Sequence, residues 1–168
     1  MQPKTVKRTK TPEQALNALM RLAARAERSS GDALRLMRNW GINAPEQRKI
    51  LDRLIKMRFI DDGRYAEAFI RDKMRFSGWG AYKIRAALRA KGIAADIVDN
   101  ALAQLDGQEM GSRLATALEK KIRTTKYTSV YELKTKLMRY GLSLGYDYDT
   151  VADAVGRTLK NDDSCTDF

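Results

Sequence analysis

Two adjacent carboxylates, Asp61 and Asp62, interrupt a strongly basic chain in the stretch Ile60-Asp61-Asp62-Gly63-Arg64-Tyr65-Ala66-Glu67-Ala68-Phe69. Acids this close can hold a divalent metal or divide acid–base work between them. On a helix, however, neighbouring side chains diverge by about 100°. No further acid recurs at a fixed spacing to complete a metal site. The competing reading is the start of a helix. With Asp61 as N-cap, Ile60 and Tyr65 take the two positions of a hydrophobic staple, and Asp62 meets the positive end of the helix dipole. That spacing predicts Tyr65, Ala66, Phe69, Ile70 and Met74 on one side of the helix, with Arg64, Glu67, Arg71 and Arg75 toward the other. The pair is expected to be a structural cap, and no catalytic residue is assigned.

The remaining inventory narrows the chemistry further. The chain has no histidine, which excludes Ser-His-Asp and Cys-His nucleophiles and every histidine-containing zinc site. Cys165 is the only cysteine, so thiolate clusters and an internal disulfide are excluded, and the cytoplasm is the expected location. Ser77-Gly78-Trp79-Gly80 lacks the spacing and the Lys-Ser/Thr of a phosphate loop. No run of 18 apolar residues exists, and no apolar segment follows the basic N-terminus, so neither a membrane span nor a secretory signal is expected. No cofactor is expected either.

What remains is charge. The 168 residues carry a net +11, an excess suited to a polyanion, whether nucleic acid or the acidic surface of a protein. From Lys73 to Ala95 there is no acid, while Lys73, Arg75, Lys83, Arg85, Arg89 and Lys91 alternate with Phe76, Trp79 and Tyr82. On a helix from about Ala81 to Ala90, Ile84, Ala87 and Leu88 face inward, and Tyr82, Arg85 and Arg89 line the opposite side. These cations either contact phosphates or fork onto carboxylates, or they only solvate a helix. Aromatics here can stack on bases, but Phe76 and Trp79 are expected to be core. A weaker group, Lys134, Lys136 and Arg139, occupies the corresponding helix further on.

The elements that must position these side chains are all helical. Thr11-Pro12-Glu13-Gln14 reads as a capping box, Ser29 or Ser30 as the next cap, Asn43-Ala44-Pro45 as a third start, and Ser129-x-x-Glu132 as a later one. Trp40-Gly41-Ile42, Lys91-Gly92-Ile93 and Tyr140-Gly141-Leu142 repeat one punctuation, with each glycine expected at positive φ past a helix end. Met37, Leu88 and Leu137 precede these glycines by four residues, and Ala15, Ala66 and Ala115 by twenty-six. The fold expected is all-α: three tandem three-helix repeats at 11–59, 60–106 and 107–160, in an elongated array. A flexible basic arm at 1–10 and an acidic tail at 161–168 flank them.

At this point the chain resembles a known family. Phe59-Ile60-Asp61-Asp62-Gly63-Arg64-Tyr65-Ala66-Glu67-Ala68-Phe69 followed by Gly78 to Ile93, with Ile84-Arg85-x-x-Leu88-x-x-Lys91-Gly92-Ile93, is similar to the central signature of the RecX regulatory proteins. The resemblance is looser over residues 27–42 and only in outline over the third repeat. It implies a curved array of three-helix repeats that binds the RecA recombinase in the groove of its filament on single-stranded DNA. It further implies inhibition of RecA ATPase, strand exchange and coprotease activity, without enzymatic activity or cofactor, by a protein expected to be monomeric. The basic face assigned to RecA and DNA comprises Arg71, Arg75, Tyr82, Lys83, Arg85, Arg89, Lys91, Lys134, Lys136 and Arg139, positioned by Asp61, Asp62, Tyr65, Phe69 and Gly92. The alternative is a stand-alone helical module that binds nucleic acid without sequence preference.

Overall fold

The computed structural model describes residues 9–163. Most of the basic arm, the end of the acidic tail and Cys165 lie outside them. Helices form because caps, apolar stripes and glycine stops coincide. They are α1 (Pro12–Arg25), α2 (Ser30–Asn39), α3 (Ala44–Lys56), α4 (Asp62–Ser77), α5 (Ala81–Ala90), α6 (Ala95–Ala103), α7 (Gly107–Thr124), α8 (Val130–Ser143) and α9 (Tyr148–Asp163). Among the described residues there is no strand, and the helices follow one another as three successive sets of three.

Each helix start satisfies backbone N–H groups that have no partner within the helix. At α1 the Gln14 N–H donates to Thr11 Oγ1 at 3.2 Å, and the Thr11 N–H donates to Gln14 Oε1 at 3.1 Å. Ser29, Asn43, Asp106 and Ser129 cap α2, α3, α7 and α8. Asp61 caps α4: its Oδ1 accepts from the Arg64 N–H at 2.9 Å, and its carbonyl accepts from the Tyr65 N–H at 2.9 Å. Asp62 does something the local spacing does not reveal. Its Oδ1 accepts from the Ser30 N–H at 2.7 Å, closing the first turn of α2, 32 residues away in sequence. The two carboxylates therefore serve the N-termini of two different helices.

The second helix of each set ends in the same turn. After α2, the Ile42 N–H donates to the Met37 carbonyl and the Gly41 N–H to that of Arg38. After α5, Ile93 and Gly92 repeat this with Leu88 and Arg89. Gly41 and Gly92 have φ of 75° and 79°, a left-handed conformation that a Cβ disfavours. In the third set the expected glycine is the wrong one. Gly141 is buried within α8, and its φ is not positive. The turn glycine is Gly145, with φ 91°, and the Tyr146 N–H reaches back to the Gly141 carbonyl at 3.5 Å. α8 is four residues longer than α2 and α5, about one helical turn. Gly141 is small for another reason: a Cβ there would lie 2.6 Å from Val151 Cγ1 on α9.

By their contacts the helices form two compact units, and α4, α5 and α6 each contribute to both. The first unit holds the residues through Ala68 together with Leu88–Val98. Its core gathers Leu16 and Leu19 of α1, Ala33 and Met37 of α2, and Ile50 and Leu54 of α3, closed by Ile42 and Ile60. Here Gly31, in the first turn of α2, abuts the turn after α5, and a Cβ on it would collide with the Lys91 carbonyl. The second unit holds Phe69–Ala87 and the residues from Asp99 onward. Its largest core packs Leu114 and Leu118 of α7, Leu133 and Leu137 of α8, and Val151 and Val155 of α9. Ala115, expected to match Ala15 and Ala66, is only half-buried there; Leu114 takes the inward place. Gly80, ahead of α5, abuts the turn after α8: its N–H donates to the Leu144 carbonyl at 2.7 Å, and a Cβ would fall 2.5 Å from the Gly145 oxygen. The Tyr82 N–H donates to the Gly145 carbonyl at 3.0 Å.

These contacts order the expected effects of substitution. Gly31→Ala and Gly80→Ala should each cost about 1–3 kcal/mol, because backbone must move. Gly111→Ala, on α7 with nothing within 4 Å of a Cβ, should stabilise by up to about 1 kcal/mol. Urea denaturation midpoints of the three variants test this ranking. Arg58 turns the chain after α3 at φ 59°, as the only non-glycine residue with positive φ among those described. Arg58→Gly should raise the unfolding free energy by about 1 kcal/mol, and an unchanged midpoint would contradict that strain. Asp61→Ala and Asp62→Ala should each lower stability by about 1 kcal/mol while the circular-dichroism spectrum of the folded protein is retained.

Candidate nucleic-acid and protein interface

The acid-free window places its residues unevenly. α5 buries Ile84 and Leu88 and turns Tyr82 and Arg89 outward, with Tyr82 61% exposed. Two of its cations, and Lys91 just past its end, are engaged within the protein. Lys83 Nζ stands 4.8 Å from the Trp79 ring centroid and donates to the Ser143 carbonyl at 3.1 Å. Arg85 Nε donates to Asp99 Oδ1 at 3.1 Å. Lys91 Nζ lies 3.9 Å from Asp32 Oδ2 and 5.8 Å from the Tyr65 ring centroid. Asp32 also accepts from Arg35 at 3.1 Å, and Arg35, Arg38 and Lys91 line one cavity of ≈ 340 Å³ in the first unit. Arg71 and Arg89 are exposed and belong to no ion pair among the described residues.

The aromatics divide differently from the expectation. Trp79 is half-buried, packed edge-on to Phe69 at 6.4 Å and flanked by the ammonium groups of Lys73 and Lys83. Phe69 is half-buried. Phe76, expected in the core, is instead 75% exposed, with the Arg75 guanidinium 5.3 Å from its centroid. The buried stripe of α4 runs through Ala66, Ile70 and Met74, so position 76 points about 200° away from Met74.

In the second unit two grooves concentrate the cations. One, of ≈ 530 Å³, includes Arg75, Phe76, Arg113, Lys120 and Tyr140. The other, of ≈ 570 Å³, is lined by Lys121, Thr125, Lys126, Lys136, Arg139 and Tyr140. Arg75, Lys136 and Arg139 were expected at the interface, and the grooves bring them together with cations that sequence reasoning missed: Arg113, Lys120, Lys121 and Lys126. Lys134 is exposed on α8 but lines neither groove. The missed signal was the run Lys120-Lys121-Ile122-Arg123-Thr124-Thr125-Lys126, which reads as a polar connection when attention rests on the second helix of each repeat.

Local hydrogen bonds fix the second groove. Glu132 Oε2 accepts from the Thr128 N–H and hydroxyl, each at 2.8 Å, while Oε1 lies 2.7 Å from Lys136 Nζ. The bond from Lys136, followed by those from Thr128, holds the Glu132 carboxyl down at about 2. Because this lies below the ordinary carboxylate value, the contact contributes its full stability above the ordinary range and loses it progressively as pH falls from there through about 2. Lys136 also donates to the Lys126 carbonyl at 2.7 Å, which pins the connection carrying Lys126 and Tyr127. Lys121 Nζ lies 5.2 Å from the Tyr140 ring centroid. Lys120, Lys121, Lys126 and Arg139 take part in no ion pair among the described residues. The first groove also carries the Glu109 carboxylate, which pairs with Arg113 at 2.6 Å, so the unpaired cations are concentrated in the second, where Lys121, Lys126 and Arg139 raise the local potential more than the same charges dispersed. Among the described residues, no helix is long and apolar enough to cross a membrane.

Comparison with known proteins now bears on this arrangement. Residues 61–102 match the family model described as RecX, second three-helix domain. The chain is 32% identical over 114 residues to the regulatory protein RecX of Clostridium botulinum (strain Eklund 17B / Type B), covering 67% of this chain and 53% of the relative. It thus spans about half the length of the clostridial relatives it matches. The crystal structure of RecX from Lactobacillus salivarius superposes with a TM-score of 0.79 at 23% identity, over 88% of this chain and 96% of that one. The regulatory protein RecX of Prosthecochloris aestuarii (strain DSM 271 / SK 413) is 32% identical over 127 residues, which span 76% of this chain and 81% of that protein. An all-helical chain of three-helix sets, matched at that identity across most of a relative's length, belongs to the RecX family of regulatory proteins.

Proposed function

We propose that the protein regulates the RecA recombinase: it binds RecA and the RecA–single-stranded DNA filament and inhibits the filament's ATPase, strand-exchange and coprotease activities. It thereby modulates recombination and the SOS response, as a cytoplasmic monomer without catalysis or cofactor of its own. The observation that carries this reading is the set of exposed cations without internal partners, Arg71, Arg89, Lys120, Lys126 and Arg139, in a member of a regulatory family. A filament of protein on DNA offers both carboxylates and phosphates to such groups. Several weak contacts made by one chain then act together at high effective concentration.

The alternative, a stand-alone nucleic-acid module, draws on the same cations and separates from the first by experiment. RecA ATPase on single-stranded DNA, titrated with this protein at two salt concentrations, should fall at protein concentrations well below those that coat free DNA. Inhibition seen only at DNA saturation would leave competition for DNA as the sufficient account. Within that assay Arg89→Glu should raise the concentration needed for half inhibition by roughly threefold to tenfold, with helicity unchanged. Arg85→Gln should do less, because Arg85 already serves Asp99.

A further inference from the structure

We infer that the start of α8 and the connection before it form a docking surface for the protein component of the filament, a face of RecA that combines apolar side chains with carboxylates. This rests on the proposed function and assigns its protein contact. Tyr131 is 81% exposed, Val130 59% and Tyr127 44%, three large apolar side chains within five residues. They line neither basic groove, so an anion held in the grooves leaves them uncovered.

Val130 shows why this patch is open. It stands three residues before Leu133 and seven before Leu137, on the stripe that packs the core of the second unit. Leu133 and Leu137 are buried, but one turn earlier the stripe runs past the core. Local bonds keep the chain from folding these side chains in. Ser129 caps α8, the Thr128 N–H and hydroxyl both donate to Glu132, and the Lys126 carbonyl accepts from Lys136. Side chains already held outward lose less freedom when a partner covers them.

The surroundings decide what that partner is. From Lys120 to Tyr146 the only acid is Glu132, and Lys136 neutralises it. Lys126, beside Tyr127, and Lys134, one turn after Val130, are exposed and belong to no ion pair among the described residues. An apolar patch rimmed by unpaired cations fits an acidic protein surface with apolar side chains at its centre. A nucleic-acid strand could stack its bases on the tyrosines, but the branched aliphatic Val130 offers it no stacking face.

The test measures binding of the full chain to immobilised RecA without DNA, beside its binding to a fluorescein-labelled oligothymidylate. Tyr131→Ala should weaken RecA binding about tenfold and Val130→Ser about threefold, while Tyr131→Phe keeps it. Oligothymidylate binding and the thermal midpoint should stay as in the wild type, because these side chains are exposed. Lys134→Glu should weaken RecA binding and flatten its dependence on salt. Unchanged RecA affinity in the Val130→Ser/Tyr131→Ala double variant overturns the docking surface and leaves the regulatory reading standing. Parallel losses on RecA and oligothymidylate also overturn it, by making the rings a platform for bases. A wild-type dimer that Tyr131→Ala dissociates, with RecA binding intact, overturns it in favour of a second copy of this chain. A wild-type chain that neither binds RecA nor inhibits its ATPase removes the regulatory reading itself, and this surface with it.

Discussion

The contact on which this architecture rests is backbone against backbone: the first turn of one helix set into the turn that ends another. In the second unit the N–H groups of Gly80 and Tyr82, at the start of α5, donate to the carbonyls of Leu144 and Gly145 at the end of α8. Both partners belong to the groups that a helix leaves without an internal bond, so one contact satisfies a start and a stop together. The positive end of one helix dipole also faces the negative end of another. In the first unit Gly31 meets the turn carrying Lys91 and Gly92 in a comparable way, and Asp62 supplies the acceptor for Ser30. No side chain fits in either place, which is why both positions are glycine.

That arrangement leaves side chains free where backbone does the joining. The family signature around Asp61 and Asp62 sets α4 and α2, with its acids accepting N–H bonds from Arg64 and Ser30. Charge is then distributed by ion pairing more than by composition. The stretch from Lys73 to Ala95 has no acid in its sequence, yet Lys83, Arg85 and Lys91 are held by Trp79, Asp99 and Asp32. The α7–α8 region has acids in its sequence but keeps Lys120, Lys121, Lys126 and Arg139 unneutralised.

Fold class, the three-helix sets and most caps were legible in the sequence because each depends on residues a few positions apart. Thr11 with Gln14 and Ser29 with Asp32 are such pairs. The bond from Ser30 to Asp62 was not legible, nor was the pair of Lys91 with Asp32, because both link residues remote in the chain. Phe76 is a different kind of miss. The helical period through Ala66, Ile70 and Met74 excludes it from the core, so its position outweighs its apolar type. The third punctuation departs from the constant spacing because α8 is four residues longer than α2 and α5: the turn glycine lies 53 residues after Gly92, not 49.

The extra length of α8 shows which helix lengths such repeats accommodate. Four residues advance a helix by about 6 Å and rotate it by about 40° beyond a full turn, so the inward stripe of α8 survives the addition almost in register. Two extra residues would swing the same stripe to the far side. Helices in this architecture are thus free to lengthen only in near-whole turns, and Gly141, inside the longer helix, sits where only hydrogen fits. Val151 of α9 is the neighbour there. The glycine that keeps the spacing of a stop is in α8 a site of close helix packing.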